Sequence, residues 1–199
     1  LGTGSDGQPV FLLVKYALSD EELARNPTLP RGGGYLNVDV VFELDDAQRA
    51  FLAQLPLTVE DEDRLYVHAN AWAPANWGYI TNARAATQSL AATRQRITFC
   101  GHMHEPALYH TRPGGLDAGH FTPRTDFPIP LAPTLRWLAI PGSVGQPRDG
   151  NPAACCGWMD TERNTLTCLR VPYDHETASA RILRAGLPPG FAARLGEGR

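Results

Sequence analysis

The segment with the clearest capacity for chemistry is Gly101-His102-Met103-His104, which directly follows an apolar run at 97–100. Two histidines spaced i, i+2 project to the same side of the chain if the backbone stays extended. Their Cα atoms would then lie about 6.6 Å apart, at ~3.3 Å per residue. That span suits one imidazole on each of two metal ions about 3.5–4 Å apart. His68 also ends a strand candidate, and neutral imidazole is a common metal ligand.

A plain surface role is the competing interpretation of each histidine. A single histidine at a strand end is usually just a polar surface residue, and His68 taken alone favours that interpretation. The GHMH pattern taken alone fits a metal site and a surface turn about equally well. Gly101 fits the metal interpretation, because glycine lets the backbone pass close to an ion.

Strands and helices that alternate along the chain must position these residues. Apolar patterning predicts strands at 10–17, 36–44, 64–68, 97–100, 137–140, 155–159 and 165–171, and helices at 19–25, 45–55, 83–92 and 174–185. Residues 109–136 hold five prolines and a Gly-Gly, so we expect a long excursion over the face that carries GHMH. Several strands end in polar loops, and loops at one edge of a sheet are where open α/β folds gather chemistry.

The bulk composition excludes some classes of function. The 199 residues are 43% hydrophobic and 20% charged, which is the balance of an ordinary globular domain. A net charge of −3 argues against general nucleic-acid binding and against membrane-surface binding. No apolar run approaches the ~18 residues of a membrane span. The four cysteines form no C-x-x-C pair, so we expect reduced thiols and a cytoplasmic protein.

The segments GHMHEP and IPGSVGQPRDGNP, taken together, resemble the calcineurin-like metallophosphoesterases. The likeness is to the branch of compact bacterial phosphodiesterases and diadenosine-tetraphosphatase-like proteins, and SVGQPRDG at 143–150 is its longest match. It covers residues 45–199, while residues 1–44 remain an unassigned strand–helix–strand candidate. The implied fold is of the α/β (α+β) class, a two-sheet sandwich flanked by helices and incomplete at its N-terminal side.

The resemblance implies a role for each matching residue. His68 and His102 would bind one of two divalent metal ions, and His104 would bind the other. The Gly142–Gly150 loop would shape a substrate pocket through Gly142, Ser143 and Arg148. Arg148 could meet a phosphate there, although an ion pair with Asp149 or another carboxylate is the preferred interpretation. The resemblance fits manganese, iron, zinc and nickel equally.

Other parts of the family pattern are missing from the sequence. The motifs D-x-H, G-D-x-x-D and G-N-H-D do not occur in residues 1–67, so the bridging carboxylate and the catalytic residues are not identified. Carboxylates normally offset the charge of such a metal pair. Asp39, Asp61 and Glu105 lie outside any recognisable ligand spacing, and Glu105 is expected in an outer layer or at the surface. We therefore do not expect efficient turnover from this chain alone.

Two functions remain open. In the first, the chain carries the histidine-rich half of an enzyme that hydrolyses a phosphomonoester, a phosphodiester or a dinucleoside polyphosphate. In the second, it is a non-catalytic, degenerate member of the same fold that binds at most one metal and acts through a partner. The first residue is Leu1 rather than Met, which favours a fragment of an enzyme. An in-frame D-x-H and G-N-H-D upstream would support the enzyme, and a start codon just before Leu1 would support the binding protein.

Overall fold

The computed structural model describes residues 46–199, and the strands and helix predicted at 10–17, 19–25 and 36–44 lie outside that part. The chain divides into two compact units, residues 1–57 and 58–199. In the first unit, the described portion is the helix α1, Asp46–Ala53. It ends ahead of Pro56, as the sequence predicts, because proline has no N–H to continue the helix.

The second unit contains nine strands and three α-helices among the described residues. In chain order they are β1 Thr58–Asp61, β2 Arg64–Val67, a 3₁₀ turn Pro74–Asn76, α2 Ala83–Ala91, β3 Ile97–Cys100, β4 Ala107–Thr111, β5 Gly119–Phe121, β6 Pro128–Pro130, β7 Arg136–Ile140, β8 Ala154–Asp160, β9 Thr165–Val171, α3 His175–Arg184 and α4 Pro189–Glu197.

The strands form two sheets. The six-stranded sheet has the order β1-β2-β3-β7-β4-β5, and the three-stranded sheet has the order β6-β9-β8. Within the larger sheet β2, β3 and β7 run parallel to one another, whereas β1, β4 and β5 are antiparallel to their neighbours. The chain passes from β2 to β3 through α2, since parallel neighbours need a crossover connection.

Alternation along β7 shows how the layers pack. Leu138 and Ile140 belong to one core cluster, which also contains Leu90 of α2. Trp137 and Ala139 point to the other face and join a second cluster with Leu166 of β9. Because successive side chains of a strand face opposite sides, the large sheet is covered by a helix on one face and by the small sheet on the other. The predicted two-sheet sandwich with outer helices is confirmed.

The excursion predicted at 109–136 is wrong in its main feature. Residues 107–111 and 119–121 are β4 and β5, an antiparallel hairpin of the large sheet, and Pro128–Pro130 is an edge strand of the small sheet. Proline is tolerated at a sheet edge, where one row of N–H groups makes no ladder bonds. The many prolines and glycines of this region therefore separate short strands and do not prevent strand formation.

The C-terminal region holds one predicted helix and one that was not predicted. Asp174 caps α3 by accepting a hydrogen bond from the Thr177 N–H, and Gly186 follows its end with a φ of +73°. The unpredicted helix is α4, which begins at Pro189, and proline is well suited to the first position of a helix. Within residues 46–199, no helix combines the length and the apolar character needed to cross a bilayer.

Candidate metal centre

Three loops meet the same edge of the large sheet. His68 directly follows β2, Gly101 directly follows β3, and Pro141 directly follows β7. These three strands are parallel neighbours, so their carboxyl ends lie at one edge. Such an edge is the usual place for a site in an open α/β sheet.

His68 and His102 come together at this edge. Their nitrogens His68 Nε2 and His102 Nδ1 are 2.9 Å apart. His68 is 9% exposed and His102 is 5% exposed, so water has little access to either ring. The Gly101 N–H also donates a hydrogen bond to the His68 carbonyl at 2.9 Å, which ties the two loops together. The expected pairing of these two histidines is therefore present in the geometry.

An aromatic wall made of Trp77 and Tyr79 flanks the histidine pair. The Trp77 ring lies 4.4 Å from the His68 ring, and the Tyr79 ring is stacked on His102 at 4.1 Å with an interplanar angle of 22°. Buried Asn70 shapes the loop that carries both aromatics: its side chain donates to the Gly78 carbonyl and accepts from the Ala73 N–H, each at 2.9 Å. The wall limits how each imidazole can rotate.

The backbone of GHMH is not extended, and this corrects the basis of the sequence prediction. The φ angle is +66° at His102 and +63° at His104. The Met103 N–H donates to the Gly101 carbonyl at 2.7 Å, a bond across two residues that defines a γ-turn with His102 at its centre. The same-side argument from strand alternation therefore does not apply. Positive φ at a non-glycine residue is costly, and such residues cluster at functional sites.

His104 is held by the Gly142–Gly150 loop. Its Nδ1 lies 2.8 Å from the Gln146 carbonyl oxygen, and its own carbonyl accepts the Arg148 N–H at 3.2 Å. A carbonyl can only accept, so Nδ1 must carry the proton, and in a neutral ring Nε2 then keeps its lone pair. This is the tautomer of a metal-ligating histidine whose other nitrogen donates to a backbone carbonyl.

The predicted substrate residues of that loop have structural contacts of their own. Gly142 has a φ of +91°, and a Cβ there would lie 2.7 Å from the Cβ of Cys155. The Ser143 hydroxyl accepts the Gln146 N–H at 3.0 Å. The Arg148 side chain donates to Gln146 Oε1 at 3.3 Å, whereas Asp149 pairs with Arg170. Of the carboxylate partners expected for Arg148, Asp149 is therefore excluded, because it pairs with Arg170.

Burial controls the thiol at the end of β3. Cys100 is 3% exposed, and desolvation raises its pKa to about 12. The thiol stays protonated at neutral pH, and the thiolate is the form that binds metals.

One solved structure is similar to this chain in both fold and sequence. No family model matches the chain. The fold matches the crystal structure of a metallophosphoesterase from Sphaerobacter thermophilus with a TM-score of 0.72 and 29% identity, over 83% of this chain and 72% of that one. The chain has the fold of the calcineurin-like metallophosphoesterases.

Two further proteins are similar to the chain. The uncharacterized protein MJ0912 of Methanocaldococcus jannaschii is 31% identical over 154 residues, which cover 75% of this chain and 59% of that protein. This chain thus spans less than two thirds of that relative's length. The hypothetical protein PH1004 from Pyrococcus horikoshii OT3 matches with a TM-score of 0.53 and 16% identity, over 90% of this chain and 77% of that one, which supports the fold alone.

The candidate metal-binding side chains among residues 46–199 fit one ion in part. Two metal–nitrogen bonds of about 2.0–2.1 Å at the right angle of a six-coordinate ion place their nitrogens about 2.9 Å apart, whereas the wider angle of tetrahedral zinc gives about 3.3 Å. His68 Nε2 and His102 Nδ1 show that separation, 2.9 Å. Across residues 46–199, however, no three side chains of histidine, cysteine, aspartate or glutamate are grouped to hold a metal ion.

The candidate carboxylates do not complete a metallophosphoesterase centre. Asp61 is bonded to Arg64 at 2.9 Å, and Glu105 is exposed, as predicted. Asp39 lies outside the described residues. A dinuclear centre therefore does not fit residues 46–199 by themselves, and their histidine pair fits a single ion.

The parts of this candidate site that sequence reasoning missed are Asn70, Trp77, Tyr79 and the Gln146 carbonyl. In the sequence, Trp77 and Tyr79 are simply part of a loop rich in tryptophan, proline and asparagine, and no pattern indicates that they contact the histidines. Its contact with His68 and His102 joins residues that are far apart in the chain. A backbone acceptor such as the Gln146 carbonyl leaves no residue-type signal at all.

Proposed function

We propose that this chain carries the histidine-rich half of a metal centre that hydrolyses phosphate esters. The observation that carries the proposal is the 2.9 Å approach of His68 Nε2 to His102 Nδ1 at the carboxyl edge of three parallel strands. The likeness to a metallophosphoesterase supports the same chemistry. Divalent ions at such a centre polarise a phosphoryl oxygen and lower the pKa of a bound water.

The residues of this chain would hold and orient that centre. His68 and His102 would bind one ion, and Trp77 and Tyr79 would keep their rings in place. His104 would present Nε2 to the second ion, because its Nδ1–H is committed to the Gln146 carbonyl. The loop around Gly142, Ser143 and Arg148 would border the phosphate ester, with Arg148 as its cation. The ligands missing from residues 46–199 would come from elsewhere in the protein.

The substrate is proposed to be a small phosphate ester or a nucleotide. The negative net charge does not suit a polynucleotide partner, whereas one local cation such as Arg148 suits a single phosphate. The four cysteines, all among the described residues, are free thiols. Free thiols support a cytoplasmic location as part of the proposal.

A non-catalytic binding role is the second candidate. It is favoured by the lack of a three-ligand group in the described part of the chain. In that case the fold would bind one ion at His68 and His102 and would act through a partner. Both candidate functions require the histidine pair to bind the first metal ion, so catalytic turnover is what distinguishes them.

Metal titration tests the site that both candidates share. Manganese and zinc would be titrated calorimetrically into the full chain and into His68→Ala, His102→Ala and His104→Ala variants. His120→Ala is the matched control, because His120 is exposed on β5. We expect His68→Ala and His102→Ala to remove binding of the first ion, and His120→Ala to leave it unchanged. Equal affinity in all variants would overturn the metal site.

Phosphate then separates a phosphoesterase site from an unrelated metal site. Inorganic phosphate would be titrated into the manganese-loaded chain and into the chelator-treated chain. We expect phosphate to bind more tightly when manganese is present, and Arg148→Ala to weaken that binding. Metal binding with no gain in phosphate affinity would contradict a phosphate-ester substrate.

A further inference from the structure

We propose that Ser143 is a positioning residue, which fixes the tautomer of His104 through the Gln146 carbonyl. The inference rests on the proposed function for its purpose, since it assigns Ser143 a task in presenting His104 Nε2. The sequence suggested a substrate contact for Ser143, and the geometry points instead to a contact within its own loop, from the Gln146 N–H to the Ser143 hydroxyl.

The relay from Ser143 to His104 consists of short, successive contacts. The Gln146 N–H donates to Ser143 Oγ at 3.0 Å, and His104 Nδ1 donates to the Gln146 carbonyl at 2.8 Å. A third hydrogen bond joins this loop to His104, because the Arg148 N–H donates to the His104 carbonyl at 3.2 Å. Gln146 is thus held on its N–H side by Ser143 and on its carbonyl side by His104.

Pro147 limits the direction of the Gln146 carbonyl. A residue before proline is restricted to extended backbone angles, because the proline ring clashes with the helical alternative. Pro147 is among the most deeply buried residues, below 2% exposure, so it cannot readily move to relax that restriction. With the Gln146 N–H fixed by Ser143, the carbonyl has little freedom other than to face His104.

The backbone of Ser143 is itself fixed by contacts with β8. Its carbonyl accepts the N–H of Cys155 of β8 at 2.8 Å. Gly142 before it lies against the Cys155 side chain, where a Cβ would come within 2.7 Å. The backbone of Ser143 is therefore fixed, so its hydroxyl is held in the position where it accepts the Gln146 N–H.

The relay matters because the two neutral tautomers of His104 differ at the metal-facing nitrogen. With the proton on Nδ1, Nε2 has a lone pair to give to an ion; with the proton on Nε2, it has none. Without the Ser143 contact the Gln146 carbonyl can turn away, and the second tautomer becomes populated. Loss of a partner that orients a ligating histidine typically weakens metal binding about 10- to 100-fold.

The test reads the tautomer directly. Long-range ¹H–¹⁵N NMR of the full, chelator-treated chain, above the pKa of free imidazole, distinguishes Nδ1–H from Nε2–H in His104. We expect wild type to show Nδ1–H alone, Ser143→Ala to show a mixture, and Ser143→Thr, which keeps a hydroxyl, to restore the wild-type spectrum. Val144→Ala is the matched control, because Val144 is 55% exposed on the same loop.

A second variant and a second measurement complete the design. Ser143→Cys preserves the size of the side chain but supplies a weak acceptor, so it reports the hydrogen bond if Ser143→Ala fails to fold. An unchanged Nδ1–H signal in the folded Ser143→Ala or Ser143→Cys variant would overturn the inference. A shifted tautomer supports it, whatever the metal result. Calorimetric affinity for the second zinc ion, the one assigned to His104, is expected to fall about tenfold in Ser143→Ala, and this measurement judges the proposed function separately.

Discussion

The side chain of Asn70 donates a hydrogen bond to the Gly78 carbonyl at 2.9 Å, spanning the loop whose aromatic residues flank the histidine pair. Asn70 is fully buried at 0% exposure, and its oxygen accepts the Ala73 N–H at the same time. One amide thus closes the loop at two points. The positions of Trp77 and Tyr79 therefore depend on Asn70, which holds the backbone of their loop.

Asn70→Ala should therefore destabilise the fold and weaken metal binding together. The Gly78 carbonyl and the Ala73 N–H would lose their partner; such a loss costs about 1–3 kcal/mol for a fully buried group and less for these two, which are half-buried. Urea unfolding would measure the stability, and calorimetry would measure manganese affinity. Asn76→Ala is the control, because Asn76 is exposed in the same loop and a surface change is expected within about 0.5 kcal/mol of wild type. Equal stability of the two variants would contradict this role.

Alanine substitutions at the three glycines of the 142–150 loop would distinguish the stability cost of steric crowding from that of backbone strain. Gly142→Ala should be the most harmful, because its φ is +91° and the new Cβ would overlap Cys155. Crowding costs about 1–3 kcal/mol, and the left-handed backbone adds about 1–2 kcal/mol. Gly150→Ala has open space but a φ of +79°, so it carries the backbone term alone.

Gly145→Ala completes the series as its control. Nothing lies within 4 Å of the Cβ position there, and we expect a change within about 0.5 kcal/mol. Thermal or urea unfolding of the three variants gives the order. If Gly142→Ala proved no worse than Gly150→Ala, the packing of Gly142 on Cys155 would be wrong.

The stability of the chain should fall at alkaline pH through Cys168 of β9. Desolvation first, and then neighbouring Cys155, raise the Cys168 pKa from 9.0 to about 11, while Arg170 acts in the opposite direction and Cys156 adds a small increase. Above pH 9 the unfolded chain loses this proton while the folded chain keeps it. The free energy of unfolding therefore loses about 1.4 kcal/mol per pH unit from this thiol.

Cys168→Ala should reduce the slope between pH 9 and about 11 by the contribution of this thiol, while buried Cys100, whose pKa is raised to about 12, keeps its own contribution. Urea unfolding at several pH values measures it. Leu166→Ala is a matched control, since Leu166 is buried on the same strand at 1% exposure and does not titrate. It should lower stability equally at every pH. A Cys168→Ala variant that keeps the full wild-type slope would show that another group causes it.

The 199-residue chain with manganese should hydrolyse a generic phosphodiester poorly or not at all. Bridging and terminal carboxylates are needed to stabilise both the attacking and the leaving oxygen, and residues 46–199 hold no three-ligand group. Release of p-nitrophenol from bis(p-nitrophenyl) phosphate would measure the rate. Robust turnover that disappears in His104→Ala would prove this expectation wrong, and would mean that ligands outside the described residues rebuild the centre.

The sequence was most informative where residue type and local pattern coincide. The run ITFC predicts a buried strand, and β3 has those bounds, Ile97–Cys100. The motif SVGQPRDG predicts a loop beside the histidines, and its Gln146 and Arg148 backbone groups do contact His104. The pairing of His68 with His102 followed from family resemblance and not from spacing, which gave no partner for His68.

Longer-range and backbone effects escaped the sequence. Strand alternation failed at GHMH because a γ-turn with positive φ at His102 replaced the extended backbone. The hairpin of β4 and β5 was hidden by the prolines and glycines around it. Asp149 was expected to pair with its neighbour Arg148, but Arg170 of β9 reaches it, and a partner 21 positions away leaves no local pattern.

The bond from the Cys155 N–H to the Ser143 carbonyl has a consequence for protein engineering. It couples the loop after β7 to the small sheet, and Gly157 of β8 adds to this coupling, because a Cβ there would come within 3.0 Å of Pro141. The loop is therefore not a portable module by itself. A chimera that exchanges it with a relative must exchange residues 141–157 as one block, or the transplanted residues will meet a foreign β8 and lose their anchorage.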